Sequence, residues 1–502
     1  MRKLLLILMA ALPLVAQNDV GEVAFANSGA AEAQAPFRRG LALLHNFEYP
    51  FAAEEFRKAQ QIDPSFAMAY WGEAMTYTHP IWFQQDANAA RAVLDRLGKT
   101  PEERLSKAKT EREKDYLRAV EVLYGDGAKN DRDFRYADAM SALHAKYPDD
   151  VDAAAFHALA ILGTAHQGRD FATYMRAAAI LEEVLPAHPD HPGVLHYLIH
   201  SYDDPMHAPL GLRAARRYGA VAPNAGHALH MTSHIFVAMG MWDDVIDANR
   251  RAIDVVNRQR AARKQQPADC GHYPTWLHYA YLQKNDRDAA RKALDACRAS
   301  ALERPFESAG AADSKRGRVT EYADMRAHHA AAGLPLDGSV AIPEELVDAR
   351  YTSAYADVLA APDPKSLQAA VTRVRALHAN VVASKKNDDN PSERLRADVM
   401  LQESEALLLA ASGKRAEAIA LLEKARRTEE SMPFDFGPPP VAKPATELLG
   451  DQLLNAGRAA EAEAAYRAAL ARMPGRRLLL TAIAGLKPEP RKDERPIAAH
   501  VH

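Results

Sequence analysis

Cysteine is almost missing from this 502-residue chain, which carries only Cys270 and Cys297. Two thiols exclude a disulfide-knit scaffold and any zinc module that needs four thiolates. An excess of one charge is missing too. Sixty-three basic and 66 acidic residues leave a formal net charge of -3. No global positive field exists to hold a phosphate backbone, so nucleic acid is excluded as a partner. The HExxH, GxSxG, P-loop and GxGxxG patterns are all lacking. Zincin, α/β-hydrolase and nucleotide chemistry therefore lose their usual sequence support. Long apolar runs are confined to the N-terminus, so the expected mature chain has no membrane span. With 48% hydrophobic and 26% charged residues the composition is that of a folded protein.

The first segment present is a targeting one. Met1-Arg2-Lys3 is followed by the 13-residue apolar run Leu4 to Ala16. That run is too short to cross a bilayer and has the length of a signal-peptide core. Cleavage is expected after Ala16 or at the small-x-small pattern Ala24-Phe25-Ala26, which makes 1–26 a signal and leader. No cysteine follows the run, so a lipoprotein anchor is not expected. The expected location is periplasmic or secreted. In an oxidising compartment Cys270 and Cys297 are expected to close into a disulfide. They lie near the two ends of one helical hairpin, which an antiparallel arrangement brings together.

Beyond the leader the chain is rich in Ala, Leu, Arg and Glu. Apolar residues recur at helical spacing, and Asp-Pro, Pro-Asp, Gly-Arg and Gly-Lys breaks punctuate them. Pro189 and Pro223 are 34 residues apart. Between them Leu195, Leu198, Ile199, Tyr202, Gly211, Ala215 and Tyr218 fall at positions 4, 7, 8, 11, 20, 24 and 27 of a 34-residue unit. A C-terminal unit places Leu449, Gly450, Leu453, Ala462, Tyr466, Ala469 and Pro474 at positions 7, 8, 11, 20, 24, 27 and 32. A first unit supplies Gly40, Leu43, Ala52, Phe56, Ala59 and Pro64. In these residues the chain resembles the tetratricopeptide repeat (TPR) superfamily. The match is good over 33–98, 192–259, 270–303 and 399–476 and loose elsewhere. The resemblance implies an all-α, TPR-like α-solenoid, a right-handed superhelix with a concave groove. One helix pair cannot bury its apolar face alone, and stacking extends one core. Two segments, LHYLIHSYDDPMHAPLGLRAARRYGAVAPNAGHALHMTSHIF and GLALLHNFEYPFAAEEFRKAQ, are similar to those of a group of bacterial secreted TPR proteins. That similarity implies architecture and export, and no reaction.

The expected organisation is an N-terminal solenoid at 33–303, a connector at 304–345 with one short helix, a C-terminal solenoid at 346–480, and a disordered tail at 486–502. Pro433 to Pro444 is a proline-rich break before the last unit.

Histidine is concentrated. Ten of the 20 histidines lie between 157 and 234, where a uniform spread would put about three. His196 and His230 share repeat position 5, His200 and His234 position 9, and His227 stands at position 2. In the TPR family these positions face the groove. Each i, i+4 pair sets two imidazoles on one helical face, a chelate geometry for zinc or copper. His207 follows in the next turn, and Asp203 and Asp204 are candidate carboxylate ligands or outer partners. His45, His79 and His278 are further groove histidines; Trp71, at position 5, is expected to pack between helices, with a groove contact as the alternative. The expected function is a scaffold that binds a protein or peptide in a His-lined groove holding a zinc or copper ion. The alternative is a metalloenzyme, a metal-assisted hydrolase or copper oxidase, built on the same solenoid. A polar groove without metal is the plainer reading of the same histidines.

Overall fold

A computed structural model describes residues 19–302, 315–337, 341–386 and 390–486. The apolar N-terminal run and the tail from 487 onward lie outside the described residues. The described chain is almost entirely helical, as the repeat pattern predicts. Helices come as short antiparallel hairpins: α1 (Gln34–His45) with α2 (Tyr49–Ile62), α3 (Ala67–Met75) with α4 (Ala87–Leu97), then a short α5 (Pro101–Lys107). They continue as α6 (Glu111–Leu123), α7 (Lys129–Lys146), α8 (Val151–Leu162), α9 (Phe171–Val184), α10 (Pro192–Tyr202), α11 (Ala208–Val221) and α12 (Gly226–Ala238). Next come α13 (Trp242–Ala262), α14 (His272–Gln283), α15 (Arg287–Leu302), α16 (Lys315–Ala331), α17 (Val347–Leu359) and α18 (Pro364–Ser384). The series ends with α19 (Ser392–Ala411), α20 (Arg415–Ser431), α21 (Ala445–Asn455), α22 (Ala459–Arg472) and α23 (Arg477–Gly485). The described residues form two compact units. The first holds 19–164, 176–198 and 216–229; the second holds 165–175, 199–215 and the described residues from 230 on.

In the first unit the repeat register is visible as packing. A Cβ on Gly40, at position 8, would sit 3.0 Å from the ring of Phe56, at position 24. The missing side chain is what lets the second helix of the pair approach the first. The chain before α1 belongs to this unit. Val20, Val23 and Phe25 are buried. The Phe25 ring lies 5.8 Å from Trp71 and 5.2 Å from Tyr116, and the Arg112 guanidinium stands 4.1 Å over it. Asn46 Nδ2 donates to the Val20 carbonyl at 2.7 Å. Residues 19–26 are therefore part of the folded unit, and of the two expected cleavage places only the one after Ala16 leaves this packing intact. Trp71 is only 1% exposed. It is a core residue against Phe25, Tyr116 and Phe156, not a groove contact.

The second unit repeats the logic at its C-terminal end. A Cβ on Gly450 would meet the Tyr466 ring at 2.5 Å, again positions 8 and 24. The one helix expected in the connector is α16, and it packs into a core. α16 runs 17 residues and buries Val319, Tyr322 and Met325 against Leu294 and Cys297. Its flanks carry the Gly, Ser and charge that suggest a linker, but its apolar residues recur at helical spacing and find a core. Cys270 and Cys297 are joined as a disulfide with Cα atoms 4.2 Å apart.

Glu403 is fully buried in this unit. It accepts from the Tyr355 hydroxyl through Oε2, while its Oε1 has no hydrogen-bond partner. Burial first, and the nearby Glu429 charge second, push this carboxyl well above the usual carboxylate range. A raised folded value means that its contribution to stability is complete below about pH 4.5, the unfolded value, and is lost as pH rises through the folded value. Glu403→Gln keeps the shape and never ionises. Its unfolding midpoint should exceed wild type at pH 8 by about 1–3 kcal/mol, with the gap closing toward pH 5. Urea titrations at the two pH values check this.

Candidate metal centre

The first unit gathers a histidine network around Asp152. His45 Nε2 donates to Asp152 Oδ1 at 2.9 Å, and His45 Nδ1 accepts from the Tyr197 hydroxyl at 3.0 Å. His191 Nε2 lies 3.3 Å from the same carboxylate oxygen, and His191 Nδ1 accepts from the Val194 amide. Burial tends to raise the Asp152 carboxyl. The hydrogen bonds from His191 and His45 outweigh it and hold the group well below its usual range. Burial lowers the His45 ring below its usual range, against the opposing hydrogen bond to Asp152. Each imidazole nitrogen here has a proton role that ordinary hydrogen bonding fills. His45 is accordingly a core residue, 0% exposed, and not a groove one.

His196 and His227 belong to this unit as well. His196 Nδ1 donates to the His45 carbonyl at 2.6 Å, and burial lowers its ring to about 3. The His196 and His227 rings lie 5.1 Å apart beside Phe47. Glu48 accepts from the His227 amide at 3.0 Å, at the first turn of α12, where the helix dipole favours a carboxylate. His79 is half-buried and stacks on Tyr49 at 4.0 Å.

In the second unit the histidines of α10 and α12 are arranged differently. His230 Nδ1 is 2.7 Å from Asn249 Oδ1. Asn249 Nδ2 donates to the Val245 carbonyl, so its Oδ1 is the acceptor and His230 Nδ1 carries the proton. His234 Nδ1 is 2.9 Å from Asp203 Oδ2, which also makes it a donor. Both Nε2 atoms then point toward each other at 3.2 Å. With Nδ1 of each ring a donor, a proton or a cation between the two Nε2 atoms makes this contact favourable. A tetrahedral ion with metal–nitrogen bonds of about 2.0–2.1 Å holds its nitrogens about 3.3–3.4 Å apart. His272, the first residue of α14, joins them: each of the three residues offers a ligand atom within 4.8 Å of the others. The His272 side chain is 47% exposed, whereas His230 and His234 are buried.

The partners behind these rings are ordered in turn. Arg169 donates to Asp203 and lies 3.3 Å from Asp204. It also donates to the His200 carbonyl at 3.0 Å. Its guanidinium stands 4.1 Å over the Tyr174 ring. Asp204 accepts from the amides of Met206 and His207 and from His207 Nδ1. It caps the turn into α11 and holds His207 aside. His207 belongs to none of the converging ligand groups among the described residues. His200 Nδ1 is 3.6 Å from Asp203 Oδ2, so Asp203 faces both His200 and His234. His278 is buried with its Nε2 3.2 Å from His329 Nδ1. It packs in the core and does not line a groove.

The i, i+4 spacing of His230 and His234 does bring those two together. Sequence reasoning missed His272, Asn249 and Arg169. The only signal for His272 was its place two residues after Cys270, at the start of a helix.

The sequence matches no known family pattern and no curated protein. Among solved structures it is similar to the Cut9–Hcn1 hetero-tetramer of the APC/C, at 12% identity over 92% of this chain and 77% of that one, with a TM-score of 0.36. The human IFIT1 dimer with m7Gppp-AAAA gives 12% identity over 90% and 92%, with a TM-score of 0.38. Yeast Tom70 gives 13% over 90% and 94%, with a TM-score of 0.27. These superpositions are loose. The repeat register, with Gly40 against Phe56 and Gly450 against Tyr466, is the firmer ground. The fold is that of tetratricopeptide repeats. No TPR helix among the described residues is long and apolar enough to cross a membrane.

Proposed function

We propose that this chain is an exported TPR scaffold that carries one zinc or copper ion on His230, His234 and His272 and binds a protein partner on the same face. The convergence of the two Nε2 atoms at 3.2 Å, each ring held from behind by an acceptor, carries the metal reading. Carboxylate or amide partners of this kind fix tautomers and orient ligands in metal sites. Zinc and copper suit an imidazole set, whereas magnesium and calcium prefer oxygen ligands. Export is supported by the Leu4 to Ala16 run and by the disulfide. The exposed side of His272 favours an open fourth position, where a metal-bound water can act as a nucleophile. That observation is what keeps the hydrolase reading in play.

Calorimetric titration with zinc, on protein without an affinity tag, tests the proposal. The His230→Ala/His234→Ala variant should lose at least about 100-fold in affinity. Asn249→Leu, which removes an outer partner, should lose about 10–100-fold. Equal affinity in wild type and the double variant would place any zinc elsewhere.

A further inference from the structure

The proline-rich segment between α20 and α21 is more than a break in the repeats. Within the second unit it lies as irregular chain on the face formed by α12 and α14. His234 stacks on Trp276 at 4.5 Å with 29° between planes, and Phe436 covers the same imidazole at 4.8 Å and 32°. Both rings therefore lie against the imidazole of the proposed metal ligand. Phe436 also lies 6.3 Å from His200. The next residue, Gly437, has φ +90°, and a Cβ there would sit 2.3 Å from the Trp276 ring. Only glycine brings the backbone that close and adopts that conformation. Pro433 rests on Gly168, where an added Cβ would lie 2.6 Å away. Phe436 thus meets an aromatic surface and Gly437 an indole.

We infer that this face is a recognition surface for an extended segment that presents an aromatic residue followed by glycine. Residues 433–440 (PFDFGPPP) occupy it in cis, and a partner protein carrying the same pattern competes for it. The inference rests on the reading of the chain as a partner-binding scaffold, but it needs no metal. A tethered segment acts at an effective concentration of the order of 1 mM. For a free peptide of intrinsic Kd roughly 50 µM, this cis competition weakens binding about 20-fold. The recognition mode is an aromatic anchor in a ring-lined slot with main chain pressed on the wall.

The test uses the full chain and a fluorescently labelled PFDFGPPP peptide read by anisotropy. One variant replaces residues 433–440 with a Gly-Ser sequence of equal length, and a second, gentler one is Phe436→Ser. Circular dichroism and the thermal midpoint confirm that each is folded. Both should bind the peptide at least about tenfold more tightly than wild type, and adding Trp276→Ala to either should abolish the gain. Folded variants that bind the peptide no better than wild type, or no better than a scrambled peptide, would overturn the inference. Zinc titration of the same variants separates the two readings. Peptide binding without zinc binding leaves this inference standing and removes the metal. Zinc binding without peptide binding does the reverse.

Discussion

Arg169→Leu is expected to destabilise the second unit by about 3–5 kcal/mol, because breaking a buried ion pair leaves uncompensated charge. The Arg169 side chain is 3% exposed, and Asp203 and Asp204 are 0% and 1% exposed at theirs. Without the guanidinium both carboxylates stay buried with their counter-charge gone. Arg169→Lys should recover only part of the loss, since an ammonium cannot serve two carboxylates and the His200 carbonyl as a planar fork does. Urea unfolding followed by near-UV signals measures the effect. A loss below about 1 kcal/mol, the size of an exposed ion pair, would show that this cluster is solvated in solution. The same variant should weaken metal binding, because Asp203 would no longer be held against His234 Nδ1.

The second large effect concerns the N-terminal boundary. Phe25→Ala should cost about 3–5 kcal/mol, the range for a buried phenylalanine, since the ring fills a site among Phe37, Trp71 and Tyr116. A chain starting at Asp19 should match the full chain in stability. One starting at Asn27 should lose at least as much as Phe25→Ala, having also shed Val20 and Val23. Equal stability of the two truncated chains would show that residues 19–26 do not contribute to the unit.

The repeat register was legible because it is a packing rule. Gly40 and Gly450 are small at the position where Phe56 and Tyr466 arrive, and a 34-residue comparison reads that directly. The disulfide was legible from the hairpin geometry of residues 270 and 297. The geometry of the candidate metal site was legible only in part. Helical periodicity aligned His230 with His234, but the ring orientations come from Asn249 and Asp203, which are 19 and 31 residues away in sequence. Periodicity carries no information about such contacts. Position-based reasoning also assumed that groove positions are solvated, and it therefore misplaced His45 and His278, which pack in cores. The helix expected in the connector is α16, but its packing against Leu294 and Cys297 was not legible, since Gly, Ser and charge around a short periodic stretch look like a linker until the facing core is known.

The metal reading turns on whether the two converging imidazoles hold an ion. The direct measurement is elemental analysis of the mature protein, purified without a histidine tag, beside His230→Ala/His234→Ala. The account predicts about one equivalent of zinc or copper in wild type and none in the variant. Wild-type protein that is metal-free and cannot be reloaded with zinc or copper at neutral pH would contradict it. The short contact between the two rings would then be a shared proton in a polar core.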